Sequence, residues 1–180
     1  MVLLSNGTIY EALGSVAISS HRVTNPRSIP GAVVIELDPD AWEELSGESS
    51  GYLRVYGLKS AEQSGFRSNV VVVLTRVIVN NGVDLADLVE HAFVDARRLP
   101  GWREEQAQVW PAANRHSGWS VQAGLYQSGE QSLYTVTQYA VYQRADVGYL
   151  LQATGTTAEA DRSRYGSLID KVVRSVNFED

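Results

Sequence analysis

The chain has 180 residues, a net charge of −6 and no cysteine, a length that fits one domain with its own hydrophobic core. The acidic balance argues against nucleic acid as a partner, because neutralising phosphates supplies most of that affinity. The missing cysteine excludes disulfides, thiolate catalysis and cysteine zinc sites.

Residues 1–30 are weakly patterned and read as an N-terminal extension to a core over 31–180. The first basic residue is Arg22 and the opening apolar run breaks at Ser5, so the basic start and long apolar stretch of a signal peptide are missing. No run approaches the roughly 18 apolar residues of a membrane span. These features predict a cytoplasmic chain with no membrane span.

Ala32 to Leu37 reads as a first strand. Asp38-Pro39-Asp40 ends it and leads into a short helical turn from Trp42 to Leu45. Tyr52 to Tyr56 is a short strand. Asn69 to Val79 is the clearest strand, apolar on both faces with period two, as in a central strand covered from both sides. Asp84 opens a helix whose stripe is Leu85, Leu88, Val89, Ala92, Phe93 and Ala96, and Leu99-Pro100-Gly101 stops it. Three strands follow, from about Gly118 to Tyr126, Ser132 to Gln143 and Tyr149 to Thr154. The short turns between them make an antiparallel meander. A last helix carries Tyr165, Leu168, Ile169, Val172, Val173 and Val176, with Thr156 and Glu159 as a capping box. The fold class is α+β, a central antiparallel sheet flanked by helices.

The search for chemistry finds little. His21, His91 and His116 are too scattered for a metal site, and no metal or cofactor is expected. The chain has no G-x-S-x-G elbow; Gly65-Phe66-Arg67-Ser68-Asn69 has one glycine. Gly155-Thr156-Thr157 lacks the second glycine and lysine of a phosphate loop. Asp38, Asp40, Glu43 and Glu44 could pair for acid–base work, or simply serve turn ends and a solvated face. No catalytic residue is assigned. Trp102, Trp110, Trp119 and Tyr126 are the candidate ligand- or partner-binding residues, since such rings line pockets and anchor interfaces. Most of the other aromatics belong to core and sheet faces.

The order of elements carries a resemblance. A Val-rich strand is followed by an Asp-Leu helix, then Leu99-Pro100-Gly101-Trp102, a meander containing Gln138 and Gly148-Tyr149, and a helix ending Val173-Arg174-Ser175-Val176-Asn177-Phe178. Over about residues 30–178 this resembles the actinobacterial LpqN/LpqT-type lipoprotein family, within the Mog1/PsbP-like fold. The resemblance implies a sheet flanked by helices and a non-enzymatic binding, chaperone or assembly role with a protein partner. The lipoprotein members carry a lipobox cysteine that this sequence does not. Three functions compete: that binding module; a carrier of a small apolar or glycan ligand between sheet and helix, lined by Trp102, Trp119 and Tyr126; and a hydrolase using a carboxylate pair at Asp38 and Asp40, or His116. The oligomeric state is left open, a dimer included.

Overall fold

A computed structural model of the chain describes residues 7–46, 50–60, 62–111 and 117–179. One eight-stranded antiparallel sheet organises it, in the order β3-β4-β5-β9-β8-β7-β6, with β1 paired to β5. Its strands are β1 (Ala17–Val23), β3 (Trp42–Leu45), β4 (Arg54–Leu58), β5 (Asn69–Val79), β6 (Arg103–Pro111), β7 (Ser117–Ser128), β8 (Gln131–Arg144) and β9 (Val147–Ala158). The helices are α1 (Ile9–Val16), α2 (Val94–Arg97) and α3 (Arg162–Ser175). A small second sheet joins β2 (Ala32–Val34) to β10 (Asn177–Glu179).

β5 takes the central place that its doubly apolar pattern predicts. It pairs with β9 along almost its whole length, while β4 and β1 share its other edge in tandem. The alternation of β5, β7, β8 and β9 sends side chains into two cores on opposite faces. On the first face Val70, Val72, Leu74, Val121, Val136, Leu151 and Ala153 pack under Ile169, Val172 and Val173 of α3. On the second face Val77, Val79, Tyr139, Val141 and Leu150 pack under α1 and the 3-10 segment Leu85–His91.

Several local expectations are corrected. Residues 9–23 are not a loose extension: a capping box between Thr8 and Glu11 starts α1, and Ile9 and Leu13 are 0% and 2% exposed. The segment after Asp38 is not helical. Asp38 Oδ1 accepts from the Asp40 amide at 2.9 Å, and its carbonyl accepts from Ala41 and Trp42. That turn delivers β3, in which Trp42 is buried and Glu43 and Glu44 point to opposite faces. The strand expected over 32–37 narrows to β2, held by β10. The stripe from Leu85 to Ala92 is buried as its spacing predicts, but on 3-10 geometry followed by the short α2. Thr156 is no helix cap, because β9 runs on to Ala158. A 3-10 turn, Glu159–Asp161, leads into α3.

Candidate functional site

The structure brings two of the four candidate aromatics together and separates them from the other two. Trp110 and Trp119 are register partners across β6 and β7. Their rings meet edge to face with centroids 6.4 Å apart, a favoured aromatic geometry. Trp110 leans on the first core, while Trp119 is 52% exposed. An exposed indole backed edge to face by a second ring offers a firm apolar surface that a partner can cover. The same face continues through Ala140, the register partner of Trp119, to Tyr142. There the Tyr142 hydroxyl donates to Asn177 Oδ1 at 2.5 Å, and its ring packs against Phe178 at 5.4 Å.

Trp102 lies on the second face. A Cβ on Gly124 would come within 2.7 Å of its ring, and Gly124 points away from Ala123 and Leu125, which face the first core. Tyr126 is two residues along on Gly124's face and half-buried, and burial raises its phenol pKa. Beside Trp102, Glu104 accepts from Arg97 through both carboxylate oxygens, at 2.7 and 2.8 Å, and from Gln122 at 2.8 Å. Arg97 first, then Gln122, hold its carboxyl below the ordinary glutamate range. The four candidates therefore lie in two places, Trp110 and Trp119 on the first face and Trp102 and Tyr126 on the second.

The second face also carries a polar floor that residue patterning gave no reason to single out. Thr135, Thr137, Thr154 and Thr156 form two cross-strand pairs between β8 and β9, with hydroxyl contacts of 3.4 Å and 3.1 Å. At its border the Tyr10 hydroxyl donates to Gln152 Oε1 at 2.8 Å, and the Arg22 guanidinium lies 4.7 Å from the Tyr10 ring.

Several of the candidate chemical residues are engaged elsewhere. Glu43 pairs with Arg67 and Glu44 with Arg54, from opposite faces of β3. Asp38 closes its turn. His21 is exposed on β1, and His91 Nδ1 lies 3.3 Å from the Gly7 carbonyl. His116 lies outside the described residues. Among the described residues no three acidic or histidine side chains gather around a common point that could hold a metal ion. Loop 59–66 was missed as a feature because it reads as plain linker. Ser64 donates to Asp161 through its amide and its hydroxyl, both at 2.7 Å, and the Ser60 and Tyr165 hydroxyls meet at 2.7 Å. Shallow clefts of about 490 and 430 Å³ flank that loop.

The architecture is α+β, a mostly antiparallel sheet with three helices, a fold shared with cyanobacterial PsbP. The family model described as probable lipoprotein LpqN matches residues 5–178, and the chain belongs to that family. It is similar to the crystal structure of LpqN involved in cell envelope biogenesis of Mycobacterium tuberculosis. The TM-score is 0.76 and identity 17%, over 97% of this chain and 99% of that one. It also aligns with the solution structure of cyanobacterial PsbP from Synechocystis sp. PCC 6803, at TM-score 0.51 and 14% identity, over 88% and 92% of the two chains. A Mog1 mutant aligns at TM-score 0.38 and 12% identity, over 84% and 97%. No curated protein matches the chain by sequence.

These findings correct two expectations. The family match begins at residue 5, not near 30, in keeping with the packing of α1 and β1. The cytoplasmic expectation does not stand, because membership of a family described as probable lipoproteins implies an envelope location. Among the described residues no helix is long and apolar enough to cross a membrane.

Proposed function

We propose that the chain is a single-domain, non-enzymatic binding, chaperone or assembly module of the cell envelope. In this reading it engages a protein partner through the end of β6 and β7 centred on Trp119. The observation that carries the reading is the half-exposed Trp119 ring, braced edge to face by Trp110. A rigid aromatic backed by a second ring is the kind of anchor that dominates protein interfaces. The description of the M. tuberculosis relative as involved in cell envelope biogenesis supports the setting. The pairing of Glu43 with Arg67 and of Glu44 with Arg54, from opposite faces of β3, supports a non-catalytic reading of that acidic stretch, because the two carboxylates do not converge on one point. Trp119→Ala should weaken partner capture from envelope extracts about thirtyfold, the loss of about 2 kcal/mol typical of an interface anchor. Its melting temperature should stay near the wild-type value. Unchanged capture would refute the reading.

The threonine floor favours a second reading, a carrier of a small apolar or glycan ligand held between sheet and helix. Hydroxyls and amides on the floor, with Trp102 at one side, supply the few convergent polar groups and the aromatic wall of a ligand site. Thr137→Val with Thr154→Val should abolish ligand binding under this reading and leave partner capture intact under the first.

A further inference from the structure

β6 is the terminal strand of the sheet, and among the described residues no strand pairs with its outer edge. Natural edge strands are guarded by charges, bulges or proline, since an open row of amides and carbonyls recruits another strand. β6 is guarded at both ends. A bulge falls between Glu104 and Gln106, and Arg103, Glu104 and Glu105 are tied to Glu159, Arg97 and Arg162. Pro111 closes the other end. Between the guards, Gln106-Ala107-Gln108-Val109-Trp110 has no charge, no bulge and no proline.

We propose that this window is a self-pairing edge, through which two copies of the chain join their sheets antiparallel about a two-fold axis at Gln108. The occupant follows from the register. With Gln108 opposite Gln108 of the second copy, the two amides can hydrogen-bond to each other. Ala107 falls opposite Val109, a small residue against a branched one, and Gln106 falls opposite Trp110, an amide against an indole. The nearest charged residue on β6, Glu105, falls opposite Pro111, and the Arg174 guanidinium that donates to Gln106 Oε1 at 2.8 Å comes from α3 on the first face, so no like charges stand opposite each other on the paired strands. An isologous contact of this kind closes on itself and does not propagate. Gln108 is exposed and available for it. Each copy would bring its Trp110–Trp119 pair to one side of the seam, so the dimer presents two such pairs on one continuous sheet face. The inference does not depend on what Trp119 binds.

The test is sedimentation equilibrium of the chain from low to high micromolar concentration. The expected result is a rise in mass from 19.7 kDa towards twice that value. Gln108→Lys alone and Gln108→Glu alone should each stay monomeric, because like charges then face each other at the axis. An equimolar mixture of the two should recover the pair. Trp119→Ala should leave the pairing unchanged while weakening partner capture, so the two proposals can fail separately. A wild-type chain that stays monomeric throughout overturns the inference. So does a dimer that Gln108→Lys leaves intact.

Discussion

Gly155 stands where β9 passes under α3, and it has no room for a side chain. A Cβ there would sit 2.3 Å from Ile169 Cγ2 and 2.8 Å from Val173 Cγ2, and both belong to the first core. Gly155→Ala therefore forces α3 to lift or rotamers to shift, which costs about 1–3 kcal/mol and should appear as a lower denaturation midpoint. Glu104 offers a pH test. Arg97 lowers its folded pKa, so its contribution is present above the unfolded pKa of about 4.3 and is lost as pH falls through the lower folded value. Glu104 is largely solvent-facing, so the effect is small. Glu104→Gln should lower the melting temperature slightly near neutrality, where the ion pair with Arg97 is intact, and flatten the acid limb below about pH 4.3, where the wild-type protein loses the same contribution. A melting profile that falls as steeply in the variant would contradict this. At this scale the sequence supplied the right residue types, but not their grouping. Trp110 and Trp119 become neighbours through a strand register, and Trp102 falls on the other face from Trp110 because the bulge between Glu104 and Gln106 shifts the alternation of β6. Neither fact is local in sequence.

At the scale of elements, what was legible depended on whether burial imposes a period. β5, β7, β8, β9 and α3 are packed against a core and carry clear two- or three-to-four-residue patterns. β6 went unread because an edge strand has few neighbours to enforce alternation, and Arg-Glu-Glu-Gln-Ala-Gln is polar on both sides. β3 was misread because Asp38-Pro39-Asp40 resembles a helix start, while the buried Trp42 and its pairing with Leu58 fix a strand. α1 is short, and its two deeply buried residues are too few for a convincing stripe. They are sufficient for a prediction: Ile9→Ala or Leu13→Ala should each cost about 2–4 kcal/mol, in the range for buried aliphatic truncation. A loss below about 0.5 kcal/mol would be typical of an exposed position, and would mean α1 is not part of the core. The amides of β5 should be among the slowest to exchange with deuterium, since opening them requires separating the strand from β9 as well as from β4 and β1. Val72→Asp buries an unpaired carboxylate at a fully covered site and should unfold the chain.

For the whole molecule, one sheet with a core on each face serves as a rigid platform. α3 covers the first face, and α1 with the 3-10 segment covers part of the second. The first core ends at the β6–β7 edge, where Trp119 stands half in water. The account makes that edge the working surface. Its most direct test is a photoreactive amino acid in place of Trp119, compared with the same group in place of exposed Tyr52 on the opposite side of the sheet, each irradiated in envelope preparations. The account predicts a discrete crosslinked species from position 119 and none from position 52. No product from position 119, or the same product from both, would contradict it.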